Sequence, residues 1–123
     1  MNPNELITHA CLAQKRAIAP YSHYYVGAAL LTENNNIILG CNIESKAYPT
    51  TLCAERVAIF SALSQGFIKF KALSVVTEDG ASPCGSCRQI IYEYANGIPI
   101  YISDGSSKYS EHTITELLPY PFG

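Results

Sequence analysis

Three cysteines and one glutamate have residue types and spacings that suit a metal centre. Cys53 and Glu55 lie two residues apart, and Cys84 and Cys87 lie three residues apart later in the chain. Three protein ligands leave one coordination position of zinc open, as in catalytic sites, whereas structural sites use four ligands. A carboxylate beside such a position can transfer protons to and from the molecule that occupies it. We therefore predict one catalytic zinc ion per chain, held by Cys53, Cys84 and Cys87, with Glu55 as the proton-transfer group.

The Cys-x-x-Cys pair also has less specific interpretations. Such a pair can be half of a structural zinc site or a redox-active dithiol. A four-thiol site would need Cys11 or Cys41, and neither has a second cysteine at ligand spacing. We expect these two thiols to be small residues of the core instead.

The charge of the predicted centre needs compensation, because three thiolates and one Zn²⁺ carry a net negative charge. Arg56 is the nearest full positive charge to Cys53 in the sequence. Partial positive charge also accumulates at helix N-termini, and both cysteine clusters stand where helices are predicted to begin. The alternative is that Arg56 is only a surface charge of its helix.

Composition and charge limit the classes of function. The chain has 123 residues, 48% of them hydrophobic, which predicts a single domain spanning residues 1–123. The formal net charge is −2 and Lys and Arg form no cluster, so we expect no nucleic-acid partner. No apolar run reaches the ~18 residues of a membrane-spanning helix, and we expect no membrane association. Only 15% of the residues are charged, which favours burial of surface between subunits.

The cysteine content predicts a reducing compartment. The chain has five cysteines, an odd number, and three of them are predicted metal ligands. No signal-peptide pattern stands at the N-terminus. Because metal-binding thiolates need to stay reduced, we expect a cytoplasmic protein.

Helices and strands alternate along the sequence and must position these residues. Asn2-Pro3 can start a first helix that Pro20 ends. A capping-box pattern from Thr113 to Glu116 starts a short last helix. The other predicted elements are two helices that start at the cysteine clusters and four strands; they cover residues 53–62 and 84–95, and residues 25–31, 37–39, 72–77 and 98–102.

The order of these elements brings the two cysteine clusters together. Residues 37–102 read strand, helix, strand, helix, strand, and right-handed crossovers would make the three strands parallel. Both helices would then begin at the carboxyl edge of the sheet, where open α/β sheets bind their ligands. Cys53 and Cys84 lie at these two helix starts.

Several segments resemble a known family in their residues and in their order over nearly the whole chain. They are Ala19-Pro20-Tyr21-Ser22, Val26-Gly27-Ala28-Ala29-Leu30, Gly40-Cys41-Asn42-Ile43-Glu44, Cys53-Ala54-Glu55-Arg56, Ser82-Pro83-Cys84-Gly85-Ser86-Cys87-Arg88-Gln89 and Glu116-Leu117-Leu118-Pro119. The chain thus resembles a cytidine deaminase of the small homotetrameric type. Three cysteines with a glutamate that is not a ligand also mark zinc-dependent deaminases of nucleobases. The resemblance implies a three-layer α/β/α fold, with helices on both faces of a mixed five-stranded sheet.

The resemblance also implies roles for residues outside the predicted metal centre. Asn42 and Glu44 would hold the ribose, chiefly at its 3′-hydroxyl, and the backbone of Ala54 would contact the pyrimidine. Tyr24, at a position where the family often has Phe, would pack near the nucleoside. Phe122 would enter the site of a neighbouring subunit in a homotetramer. Taken alone, Asn42 could be a turn residue and Glu44 a solvated charge. Tyr24 and Phe122 could be ordinary aromatic residues of the core or of an interface.

The activity that the resemblance implies is hydrolytic deamination of cytidine and 2′-deoxycytidine to uridine and 2′-deoxyuridine, with release of ammonia, in pyrimidine salvage. Two other functions remain open from the sequence. One is a zinc deaminase for another aminated compound, such as blasticidin S or a tRNA adenosine, although the acidic balance argues against tRNA. The other is a non-catalytic domain that zinc stabilises for assembly.

Overall fold

The computed structural model describes residues 1–123 and contains five strands and four α-helices. In chain order these elements are α1 (Pro3–Gln14), β1 (Gly27–Thr32), β2 (Ile37–Cys41), α2 (Ala54–Ser64), β3 (Phe70–Val76), α3 (Gly85–Tyr94), β4 (Ile100–Ser103), β5 (Tyr109–His112) and α4 (Ile114–Leu117), with a 3-10 turn over Tyr48–Thr50. None of the helices has the length and apolar character that crossing a membrane requires.

The first and last helices begin at the predicted capping residues. The Asn2 side chain accepts a hydrogen bond from the Glu5 N–H at the start of α1, and Pro3 occupies the first turn. Thr113 and Glu116 form the predicted capping box at α4. The end predicted for α1 is wrong, because the helix stops at Gln14 rather than near Pro20. The chain becomes extended there, since Ile18 pairs with Ile43 through backbone hydrogen bonds.

The five strands form one mixed sheet in the order β2-β1-β3-β4-β5. β1 pairs antiparallel with both β2 and β3, and β3 pairs parallel with β4. β2, β3 and β4 therefore run in one direction, as right-handed crossovers predict. The position of β1 between β2 and β3 was not predicted from the sequence pattern, and neither was β5, a short, mostly exposed edge strand.

Helices cover both faces of this sheet, which confirms the three-layer α/β/α fold. On one face Leu6 and Ala10 of α1 pack against Ala29 and Leu31 of β1. On the other face the core is formed by α2, α3 and the alternate positions of the strands; its members include Ala28, Leu30, Ala58, Ile59, Leu73 and Ile91. β1 is buried along its whole length because both of its faces are covered.

A glycine in β2 brings the start of α2 close to the sheet. A Cβ atom at Gly40 would overlap the carbonyl oxygen of Ala54 and the backbone of Ala58. The missing side chain lets the first turn of α2 lie against β2. Because α2 begins one residue after Cys53, this close packing also determines how near Cys53, the first cysteine of the predicted centre, lies to the sheet.

Candidate metal centre and the adjoining cavity

Two helix N-termini bring the three predicted ligands together. Cys53 is the residue that precedes α2, Cys84 precedes α3, and Cys87 lies in the first turn of α3. The three sulfur atoms lie within 4.8 Å of one another, and Cys53 Sγ is 3.7 Å from Cys84 Sγ. Tetrahedral zinc with Zn–S bonds of about 2.3 Å needs S···S distances of about 3.8 Å. The cluster therefore fits one zinc ion.

The two remaining thiols lie outside this cluster. Cys11 and Cys41 are free and half-buried, and Cys11 packs against the core beneath α1. Neither joins the group of sulfur atoms that could hold a metal ion. The cluster thus contains three thiols and not four.

Arg56 lies against the thiol cluster. Its Nη2 donates to Cys53 Sγ at 3.4 Å, which raises the pKa of the guanidinium. Hydrogen bonds, the strongest from Cys87 and a further one from Arg56, lower the pKa of Cys53 to about 5 against the opposing effect of burial. The cluster thus favours a thiolate at Cys53, in keeping with the charge compensation predicted for Arg56.

Glu55 lies in the first turn of α2 and is 3% exposed. Burial is the main cause that raises its pKa to about 7. A carboxyl group that ionises near neutral pH can both accept and donate protons at that pH. Its side chain borders a cavity that also reaches Cys53 and Cys84.

This cavity measures about 300 Å³, a size found among ligand-binding pockets. It lies at the carboxyl edge of the sheet, where the sequence placed the site. Six of the predicted site residues line it, namely Tyr24, Asn42, Glu44, Cys53, Glu55 and Cys84. Cys87, Arg56 and Ala54 do not line it, and Cys87 and Ala54 are fully buried in the first turns of α3 and α2.

Asn42 and Glu44 hold the segment of residues 20–26, which we call the Tyr24 loop. The Asn42 side chain donates to the carbonyl oxygen of Tyr24 at 2.7 Å and accepts from the N–H of Val26 at 2.9 Å. The Glu44 carboxylate accepts from the N–H groups of Tyr21 and Ser22 and from the Ser22 hydroxyl. The hydrogen bond from Ser22 is the largest cause that lowers the pKa of Glu44. Both side chains therefore shape the wall of the cavity, a role that their sequence positions did not reveal.

Two polar residues that do not line the cavity, Asp79 and Arg88, make hydrogen bonds with its walls, a role that sequence reasoning missed. Tyr24 Oη donates to Asp79 Oδ1 at 2.6 Å, although the two residues are 55 positions apart. Arg88 uses its guanidinium to hold the loop that carries Cys84, by donating to the oxygens of Pro83 and Ser82 and to the carbonyl of Leu117. Only the position of Arg88 directly after Cys87 could have indicated such a role, and no signal in the sequence pointed to Asp79.

Phe122 lies outside the cavity, and its side chain is 88% exposed. Its backbone is held nevertheless. The Gln89 amide donates to the Phe122 carbonyl at 2.8 Å and accepts from the Phe122 N–H at 3.1 Å, and Tyr92 Oη donates to the Gly123 oxygen. The backbone of the terminal segment is therefore fixed to α3, while Phe122 itself is exposed.

Known proteins of one family are similar to this chain over nearly its whole length. The family described as "Cytidine and deoxycytidylate deaminase zinc-binding region" matches residues 1–101. A cytidine deaminase from Sporosarcina psychrophila is 48% identical over 99% of this chain and 92% of its own, and one from Halalkalibacterium halodurans is 40% identical over 99% and 95%. The crystal structure of cytidine deaminase from Burkholderia pseudomallei superposes with a TM-score of 0.94 at 37% identity, covering 99% of this chain and 100% of that one.

Proposed function

Because the chain belongs to the cytidine and deoxycytidylate deaminase family, we propose that it hydrolyses cytidine and 2′-deoxycytidine to uridine and 2′-deoxyuridine with release of ammonia. One observation carries this proposal. Two of the three clustered thiols, Cys53 and Cys84, line a cavity that the buried carboxyl group of Glu55 also lines. An open three-ligand site beside a proton-transfer group is the arrangement that hydrolytic attack on an aromatic C–N bond needs.

Cys53, Cys84 and Cys87 would hold one zinc ion in this enzyme. When bound, zinc lowers the pKa of its water ligand to roughly 7 and so supplies a nucleophile at neutral pH. Arg56 would offset the negative charge that three thiolates donate, assisted by the N-termini of α2 and α3.

Glu55 would move the protons of the reaction. It takes one proton from the attacking water and passes it to N3 of the pyrimidine, which makes C4 electrophilic. The oxygen then bonds to C4, and Glu55 carries the second proton of the water to the departing amino group, which leaves as ammonia. One carboxyl group can perform both transfers because it lies beside the thiol cluster and the cavity together.

The ribose and the base would be held by the residues that line the rest of the cavity. Asn42 keeps one amide hydrogen and one lone pair that the Tyr24 loop does not use, and Glu44 Oε2 accepts only the Ser22 hydroxyl. These groups can bind the 3′-hydroxyl. The backbone of Ala54 would contact the pyrimidine and the ring of Tyr24 would pack against it.

The assignment of the ribose contacts can be tested with Asn42→Ala and Glu44→Ala. Each change removes a proposed ribose contact and also releases the backbone groups of the Tyr24 loop that the side chain holds. We expect kcat/KM for cytidine to fall roughly 10- to 100-fold while zinc content stays at the parental value. Steady-state kinetics with metal analysis of the same samples would measure both.

Asn34→Ala and Glu33→Ala are matched controls for this experiment. Both residues are exposed in the turn between β1 and β2, at the opposite edge of the sheet from the cavity. Their variants should keep parental kinetics. Parental processing of cytidine by both Asn42→Ala and Glu44→Ala would show that the ribose assignment is wrong.

The assembly that best accounts for the exposed Phe122 near the C-terminus is a homotetramer in which this residue reaches the cavity of a neighbouring subunit. The exposed ring on a fixed backbone supports this proposal, and so does the low content of charged residues. A ring that covers the bound base would exclude water and add an aromatic contact. Phe122→Ala should therefore lower kcat/KM by about tenfold without loss of zinc.

A mixed assembly tests whether Phe122 acts across the interface. Glu55→Gln subunits lack the proton-transfer group but keep Phe122, and Phe122→Ala subunits have the opposite defect. Co-expression with two different tags yields assemblies that contain both, and light scattering gives their size. We expect the mixed assemblies to be more active per Phe122→Ala subunit than Phe122→Ala alone. Equal activity, or an active monomer, would contradict shared sites.

The substrate class is tested by ammonia release from the purified zinc protein. We expect equimolar ammonia and uridine from cytidine, and the corresponding products from 2′-deoxycytidine. Ammonia from blasticidin S alone would favour the alternative deaminase, and bound zinc without deamination of any substrate would favour an assembly domain.

We further place the enzyme in the cytoplasm, since its thiolate ligands need a reducing compartment, and in pyrimidine salvage, since its substrates are free nucleosides.

A further inference from the structure

Two loops from opposite sides form the wall of the cavity. The Tyr24 loop connects the segment after α1 to β1, and the second loop, residues 77–84, connects β3 to α3 and carries Cys84. The hydrogen bond from Tyr24 Oη to Asp79 Oδ1 joins them, and its length of 2.6 Å is that of a strong bond from a hydroxyl to a carboxylate.

The acceptor of this bond is held in place by its own loop. Asp79 Oδ1 also accepts from the Thr77 hydroxyl at 3.2 Å and from the Ala81 N–H at 3.3 Å. The Thr77 hydroxyl in turn accepts from the same N–H at 2.9 Å, and Thr77 is buried at the end of β3. Although Asp79 is exposed, its carboxylate thus has a defined position.

The backbone of the donor residue, Tyr24, is held from its own side of the cavity. Asn42 and Glu44 fix the backbone of the Tyr24 loop on either side of Tyr24. His23 has a left-handed backbone, with φ of 55°, which non-glycine residues adopt rarely and which turns the chain just before Tyr24. The phenol hydroxyl is tied to the opposite loop by the bond to Asp79 and by an interaction with the Thr77 side chain.

We propose that Tyr24 and Asp79 form a clasp across the mouth of the cavity, and that this clasp holds the Tyr24 ring in its place against the nucleoside and retains the nucleoside in the site. This role rests on the proposed deaminase function, and it makes Tyr24 and Asp79 positioning residues rather than proton-transfer groups. Loss of the clasp should therefore weaken binding and leave the chemical step nearly unchanged.

Tyr24→Phe, Asp79→Ala and the double variant test the clasp. Tyr24→Phe keeps the ring and removes only the hydroxyl. We expect each single change to raise KM for cytidine and Kd for uridine about 3- to 10-fold, with kcat within about twofold of the parent. Because both changes remove the same bond, the double variant should be no worse than Asp79→Ala, which also loses the bonds from Thr77 and Ala81. Asp79→Asn keeps an acceptor oxygen and should retain part of the parental affinity.

Tyr94→Phe is the matched control, since Tyr94 is exposed in the last turn of α3, at the end away from the cavity. It should keep parental KM and Kd. Parental values in Tyr24→Phe, or effects that multiply in the double variant, would overturn the clasp. If the parent binds uridine but does not deaminate cytidine, the proposed activity fails while the Kd values still test the clasp. A parent that binds no uridine would overturn both.

Discussion

Glu55→Gln is expected to lower turnover of cytidine by about 10⁴-fold, the upper end of the range for general acid–base catalysis. The loss should be that large because one carboxyl group serves all the proton transfers of the reaction, and an amide can perform none of them. Glutamine has the size and shape of glutamate, so the thiol cluster should keep its zinc. Burial disfavours the charged carboxylate, and the neutral amide should therefore not lower the melting temperature.

Three measurements on the same sample check this prediction. They are the rate of ammonia release, the zinc content and the thermal unfolding midpoint. Glu93→Gln is a matched control, because Glu93 is exposed on α3; it should behave like the parent. Turnover of Glu55→Gln within tenfold of the parent would refute the role of Glu55, and loss of zinc would mean that the carboxylate supports the metal rather than the chemistry.

Cys87→Ala is expected to abolish zinc binding and to reduce activity to background. Cys87 is fully buried in the first turn of α3, so its sulfur has no substitute from solvent. The two remaining thiols form an incomplete site, and without the metal the protein loses the binding free energy that couples the N-termini of α2 and α3. The melting temperature should therefore fall as well. The parental protein should contain one zinc per chain.

Metal analysis and calorimetric unfolding measure these effects, and Cys41→Ala serves as the control. Cys41 is a half-buried thiol outside the cluster, so its variant should keep one zinc per chain and parental turnover. Removal of zinc from the parent with a chelator should reproduce the inactivity of Cys87→Ala, and added zinc should restore activity to the parent only. Parental zinc content in Cys87→Ala would remove this residue from the ligand set.

The sequence determined the parts of the site that depend on local spacing and on chain order. Cys53 and Cys84 precede helices, and Cys87 follows on the first turn, because i and i+3 positions share a helix face. The crossover connections through α2 and α3 let β2, β3 and β4 run in one direction, which brought these helix starts to one edge. The clustering of the three thiols and the position of Glu55 beside them could therefore be predicted from the sequence alone.

Only the tertiary structure decided how the cavity is walled. The insertion of β1 between β2 and β3, the end of α1 at Gln14 and the bond from Tyr24 to Asp79 each depend on segments far apart in the chain. Asn42 and Glu44 hold backbone groups of a loop about twenty residues earlier, and no local pattern encodes such a pairing. A side chain's partners follow from which backbone groups remain unpaired once the sheet and helices have packed, so the fold had to be known before these roles could be assigned.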